Sequence, residues 1–359
     1  MVQWISKTQI IARLDEARIP YRTLTLQGGV DLLLCQRGAR IFGPFLDGEG
    51  VSLYWVNPAF ADAQRFAAFL SAGDWNLGGE RLWIAPEVQY LVRDRADFWN
   101  SIHFPASMDP GQWRFESSEA GAARLAQELD LVAYNLGVGV KQLQIETVIR
   151  PVPNPLRSVR SANELMEGVR YAGYEQEITL RERVHNGLVA EVWNLIQLNP
   201  GGVLLLPASP RAEYTDYFEP IDDAHQTRHP GHIRLRITGA QRYKVGYKAA
   251  HLFGRVGYLN RHADGSSYLL VRNFFNNPSA AYAEEPAGLP GQSGHSFHVY
   301  NDGGGFGGFG ELECNGQAIG GATGRTSSTD QMALWLFLGE EHKLREICIH
   351  LLGVDLTSE

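Results

Sequence analysis

Two acids, Glu311 and Glu313, stand one residue apart in "FGELECNGQAIG", residues 309–320. On a strand, side chains two apart share a face, so Phe309, Glu311 and Glu313 point one way and Leu312 and Cys314 the other. The strand rise of ~3.3 Å per residue puts the two carboxylate stems about 7 Å apart. At that spacing one acid can take or give a proton while the other holds a hydroxyl, and an aromatic ring beside them can stack on the apolar face of a sugar. The plain alternative is a half-buried strand with Leu312 and Cys314 in the core and both acids in water.

Other residues could join them. "GGERLWIAPE" (78–87) carries Arg81 and Trp83 on one face of a strand, followed by Glu87 where a loop is expected to begin. The planar fork of Arg binds hydroxyl pairs or carboxylates. His103 sits among aromatics in "DFWNSIHFP", and His is the side chain best suited to proton transfer near neutrality. His251, His295 and His298 are its rivals, with His298 nearest in sequence to the Gly-rich run before Glu313. Arg211, in the turn-rich "ASPRAEYTDYFEP", is expected to line a cleft. Lys244 and Lys248 lie four apart in "YKVGYK" and would share a strand face; Lys248 is taken as the substrate-binding member.

No cofactor and no metal are expected. His225, His229 and His232 in "HQTRHPGH" have a spacing that suits a metal only on a helix, and Pro230 and Gly231 break one. "DGGGFGG" (302–308) lacks the Lys-Ser/Thr of a phosphate-binding loop. There is no G-x-S-x-G nucleophile elbow.

The elements that must position these groups read mostly as strands. "LQIETVI", "EITLRERV" and "LVAEVWNLIQL" alternate or run apolar, with Asn186-Gly187 marking a tight hairpin between the last two. "GRVGYLNR" and "SYLLVRNF" flank Asp264-Gly265 as a second hairpin. "FHVYND", "GELEC", "MALWLFLG" and "REICIHLLGV" follow as further strands. Helical spacing occurs at Ile5, Ile10, Ile11 and Leu14, ended by Pro20, and again over 59–70. The expected fold is therefore all-β, with a helical segment over 1–20 and one β domain over 21–359. A boundary near the prolines of 150–158 is the alternative.

Bulk properties narrow the function. The chain has 359 residues, 44% of them hydrophobic, and a net charge of −8. That mildly acidic balance gives no footprint for nucleic acid or an anionic membrane surface. Three scattered cysteines, Cys35, Cys314 and Cys348, read as reduced thiols. With no signal-peptide pattern and no run long enough to span a bilayer, a cytoplasmic protein is expected. Nothing in the sequence defines an oligomeric state.

"GFGELECNGQAIG" resembles the late active-strand motif of the galactose mutarotase-like (aldose 1-epimerase-like) superfamily, in which a Leu-Glu pair carries the catalytic base. Here that pair is Leu312-Glu313. "LRERVHNGLVAEVWNLIQLNPGGVLLLP" (180–207) resembles the superfamily's central hairpin, and "LGGERLWIAPE" (77–87) its segment near the sugar pocket. The resemblance runs over roughly residues 25–355. It implies a β-supersandwich of two large antiparallel sheets and a mono- or oligosaccharide as ligand. It also implies chemistry at or near the anomeric carbon, with Glu313 as base. Family epimerases place a catalytic His on the central hairpin, where this chain has Val192-Trp193-Asn194. The acid would then come from elsewhere, with His103 first in line. Two other readings are a glycoside hydrolase or lyase built from Glu87, Glu311 and Glu313, and a non-catalytic carbohydrate-binding protein.

Overall fold

The molecule is two large antiparallel sheets packed face to face. The computed structural model describes residues 3–47 and 50–356. One sheet has nine strands and the other ten. Five adjacent strands form the part of the nine-stranded sheet that matters here. In spatial order they are Glu80–Ala85, Glu191–Leu198, Gly310–Asn315, His295–Asn301 and Tyr243–Lys248. The first four are buried along their whole length. They read as near-continuous buried runs because one face meets the other sheet and the opposite face is roofed by loops.

Register assigns the faces. Arg81 is opposite Leu195, which is opposite Glu313, which is opposite His298, and Gly246 follows. Gln197, Glu311, Tyr300 and Lys244 form the parallel row. Both rows lie on the outer, roofed face. Glu80, Asn194 and Cys314 point the other way, between the sheets.

Several sequence expectations meet the structure differently. Asn186-Gly187 does not close a hairpin. The strand before it, Arg170–Glu182, pairs within the ten-stranded sheet, whereas Glu191–Leu198 belongs to the other. The turn is a crossover, because alternation specifies a strand but not its partner. "REICIHLLGV" is helical up to Leu352, as the end of Glu341–Leu352, which Gly353 caps. Its Leu344, Ile347, Cys348 and Leu351 recur with helical period and cover Leu269, Val271 and Phe337 of the ten-stranded sheet. The N-terminal helix is Lys7–Glu16, capped by Ser6 and Gln9. The second helical stretch is split at Asp62, which caps Ala63–Ser71 after a short 3-10 turn. Arg255–Arg261 and Ser267–Phe274 do form the expected hairpin. The strands on either side of the 150–158 proline cluster pair with each other in one sheet. Cys35, Cys314 and Cys348 are buried free thiols. Among the described residues no helix is long and apolar enough to cross a membrane.

Candidate functional site

The outer face of the five strands floors a cleft of about 450 Å³, counting its open mouth. Its walls are aromatic: Trp75, Trp83, Trp193, Phe104 and Phe309 inside, and Trp99, Phe218, Tyr300 and Phe306 toward the mouth. Its ionisable lining is Arg81, Lys244, Glu87, Glu311 and Glu313. A few charged groups among many rings is the usual make-up of a small-molecule site.

Two glycine sites let the elements approach. At Gly79 the φ of +77° suits glycine, and a Cβ there would lie 2.5 Å from the Ile41 carbonyl. This tight entry starts the strand that carries Arg81 and Trp83. At Gly246 a Cβ would lie 2.7 Å from both the His298 and Tyr217 rings. The missing side chain makes room for those rings beside Lys244.

Glu313 is the most enclosed of the three cleft acids, 1% exposed. Trp193 Nε1 donates to its Oε2 at 2.9 Å, and Lys244 Nζ lies 3.4 Å from the same oxygen. Lys244 also donates to Glu87 Oε2 at 2.9 Å and sits over the Trp193 ring, 4.5 Å from its centroid. Burial pushes the Glu313 carboxyl up to about 7; Lys244 pulls it down, Glu311 and Glu87 push it further up, and the Trp193 hydrogen bond lowers it. Burial opposes the charge on Lys244, but Glu313, Glu87 and Glu284 outweigh it and hold the ammonium well above its ordinary range.

Glu311 pairs with Arg81 at 2.8 Å and accepts from Gln197 Nε2 at 3.0 Å. The Arg81 guanidinium lies over Trp83 at 4.2 Å and Trp75 at 5.1 Å. Trp83 is held from behind by Asp109, which accepts its indole N–H at 2.9 Å and is ion-paired to Arg40. The Gly-rich run 302–308 is a loop wrapped on Asp302, whose Oδ2 accepts from the Phe306 and Gly308 amides, both at 2.9 Å. Asn76 fastens it by donating to the Phe306 carbonyl, and Gln197 links Asn76 to Glu311. Phe306 is thereby held at the mouth.

The structure brings together Glu313, Glu311, Glu87, Arg81 and Trp83. Glu87 opens a short helix, Glu87–Tyr90, in place of a loop. The other expected site residues lie elsewhere. His103 is turned away from the cleft: Ile102 and Phe104 on either side line it, while the His103 ring sits edge-on to Tyr134. Arg211 is an exposed turn residue away from the cleft. Lys248 donates to the Ser293 carbonyl; the register shift beside it inserts Ser296 in the facing strand, so that Lys248 stands opposite His295, beyond the row of His298 and Glu313. His298 is on the floor's face but beneath it. It bonds Asn315 Oδ1 at 3.1 Å and the Tyr217 hydroxyl at 2.9 Å, and burial pulls it well below its usual range. His295 bonds Tyr217 from its other side, and His251 ends a 3-10 turn. Among the described residues no histidine lines the cleft.

Sequence reasoning passed over Trp75, Phe104 and the buried acids Glu191 and Glu284. Glu284 Oε2 accepts from the Glu87 amide at 2.6 Å, and Glu191 accepts from the Ala283 and Glu284 amides. Burial pushes Glu191 up to about 8 and Glu284 well above the carboxylate range. No motif signals these two, because their partners come from remote loops. The stretch His225–His232 is a hairpin in which the His229 and His232 rings stack at 4.8 Å. Among the described residues no group of His, Cys, Asp and Glu could hold a metal.

These features define a two-sheet antiparallel sandwich with an acid-floored aromatic cleft on the outer face of one sheet. The chain belongs to a family of unknown function, DUF6786, whose profile matches residues 32–358. It is similar to the solved structure of a galactose mutarotase-like protein from Lactobacillus casei ATCC 334. That match has 10% identity and a TM-score of 0.44 and covers 89% of this chain and 100% of that one. A putative aldose 1-epimerase from Klebsiella pneumoniae subsp. pneumoniae MGH 78578 is similar at 9% identity and a TM-score of 0.42, covering 92% and 82%. A putative mutarotase, YeaD, from Salmonella typhimurium is similar at 10% identity and a TM-score of 0.44, covering 90% and 94%. No curated protein matches the chain.

Proposed function

We propose that this chain is a carbohydrate-active protein that works at or near the anomeric carbon of a sugar, with Glu313 as the base. The observation that carries the reading is the Glu313 carboxyl at the floor of an aromatic cleft, pushed up to about 7. A base with a pKa near the working pH combines availability with proton affinity. The rings around it suit the apolar face of a pyranose, and Arg81 with Glu311 suits its hydroxyls.

For anomerisation, Glu313 takes the proton of the C1 hydroxyl as the bond from C1 to the ring oxygen breaks. The ring oxygen needs a donor. Lys244 has three N–H groups. Glu87 and Glu313 engage two, which leaves one for a substrate oxygen next to the base. Held above its ordinary range, this ammonium serves the ring oxygen as a hydrogen-bond donor that steadies its developing charge, and water supplies the proton. The aldehyde closes again on either face with the protons returned.

A hydrolase reading has one observation in its favour. Glu87 and Glu313 contact the same ammonium, at 2.9 and 3.4 Å, so their near oxygens are no farther apart than the sum of those distances. That range includes the ~5–5.5 Å of a retaining carboxyl pair.

The test is a screen of aldoses for anomerisation and of glycosides for cleavage, with wild type and Glu313→Gln. The substitution keeps shape and hydrogen-bonding capacity but removes the proton acceptor. Turnover is expected to fall ~100–10,000-fold with sugar binding retained. Cleavage without anomerisation would select the hydrolase. Sugar binding by wild type with no turnover of any substrate would remove the base role and leave a binding protein.

A further inference from the structure

A second groove of about 940 Å³, counting its open side, is lined by Trp99, Glu219, Arg242, Tyr300, Asp302 and Phe306, among others. Trp99, Tyr300 and Phe306 line the cleft as well. The two spaces therefore share a border of three rings.

The border is built. Trp99 is 43% exposed and Phe306 39%, large exposures for rings held in place. The Arg242 guanidinium lies 3.9 Å from the Trp99 centroid, and Arg242 is itself fixed by Glu219 at 2.7 Å. Phe218 packs against Trp99 at 4.8 Å. Phe306 is held by the Asp302 turn and by Asn76. An exposed Trp braced by a paired Arg offers a fixed apolar platform bordered by hydrogen-bonding groups, which is what a sugar ring can stack on.

Charge narrows the ligand. Across both spaces the acids are Glu87, Glu311, Glu313, Glu219 and Asp302, and the cations are Arg81, Lys244 and Arg242. Each of those cations already contacts a carboxylate. Among the described residues lining both spaces, a uronate or sugar phosphate would meet five carboxylates and three cations that each already contact one of them.

We infer that the ligand is an uncharged oligosaccharide of at least two sugar residues. One ring occupies the cleft over Glu313, and the next occupies the outer groove against Trp99, Arg242 and Phe306. This rests on the carbohydrate reading above and deepens it. Joining two rings makes the second contact intramolecular, so the pair binds more tightly than either alone.

The experiment is calorimetric titration of the full chain with glucose, galactose, mannose and xylose, with maltose, cellobiose, lactose, mannobiose and xylobiose, and with glucuronate and galacturonate. At least one disaccharide is expected to bind ~10-fold or more tightly than its own monosaccharides. Arg242→Ala and Trp99→Ala should each bring that ratio close to one. The uronates should bind ~10-fold or more weakly than glucose and galactose, as like charge repels. Monosaccharide binding with no gain for any disaccharide overturns the second subsite and leaves the carbohydrate reading standing. A gain that survives both substitutions also overturns it. Uronates that bind as well as neutral sugars overturn the charge argument. No binding by any sugar removes the carbohydrate reading and this inference together.

Discussion

The two faces of the Glu80–Ala85 and Glu191–Leu198 strands bury charge in different ways. On the inner face, Glu80 Oε1 accepts from Arg272 at 2.9 Å and from Asn194 at 2.8 Å, while the Tyr174 hydroxyl donates to Oε2. Tyr54 bonds Tyr174 at 2.6 Å, and Asn194 bonds Gln176 at 3.1 Å. One carboxylate meets one guanidinium, the surrounding polar groups satisfy both carboxylate oxygens, and both ions are 0% exposed. On the outer face, one residue away along each strand, Arg81 and Trp193 look into a cavity. There the lining holds three carboxylates, Glu87, Glu311 and Glu313, against two cations, Arg81 and Lys244. Burial is nearly equal on the two sides, so burial does not mark the site. An open cavity and an unbalanced charge do.

The same substitution should therefore have opposite effects on the two faces. Glu80→Gln strands the Arg272 guanidinium without its counter-ion and should cost ~3–5 kcal/mol of stability, read by urea unfolding. A loss under 1 kcal/mol would mean that the inner network does not depend on the ion pair.

Removing Lys244 should change the site's chemistry. Lys244 lowers the Glu313 carboxyl, so Lys244→Met should raise it further. If turnover needs ionised Glu313, it rises with pH through about 7 in wild type. In the variant that limb should move up by ~1–3 pH units, the usual effect of a nearby opposite charge. An unmoved limb would detach Glu313 from the rate.

Glu313→Gln should stabilise the protein at alkaline pH. The folded carboxyl is raised to about 7, above the ordinary value of ~4.3 in the unfolded chain. Between those values the folded state binds more protons, so wild-type stability falls as pH rises through this window. The variant lacks that loss and should gain on the order of 1–3 kcal/mol over wild type at pH 8 but not at pH 4. A variant less stable than wild type at pH 8 would place Glu313 with Glu80 as a structural group.

The smallest effect belongs to Arg211. As an exposed turn residue outside the cleft, its change to Ala should leave stability within ~0.5 kcal/mol and sugar affinity unchanged. A large loss of affinity would extend the site to that turn.

The sequence by itself determined the strands, the shared face of Phe309, Glu311 and Glu313, and the shared face of Arg81 and Trp83. These are local properties: alternation with period two sets a side chain's face whatever the strand's partners. It also carried the signals that were misread, such as the helical period of Leu344, Ile347, Cys348 and Leu351. What the tertiary structure decided was everything that depends on which strands are neighbours. Asn186-Gly187 is a crossover because Arg170–Glu182 finds its partners in the other sheet. Lys244 reaches Glu313, whereas Lys248 turns to the Ser293 carbonyl where the facing strand carries an extra residue, Ser296. His103 faces Tyr134 because its loop turns Ile102 and Phe104 inward. The wet or dry state of the acids was decided there too: Glu311 and Glu313 are 4% and 1% exposed under a roof of rings that includes Trp75, Trp99 and Phe104, from segments remote in the chain. Desolvation, and with it the proton affinity of Glu313, is a property of that roof and is written in no single stretch of sequence.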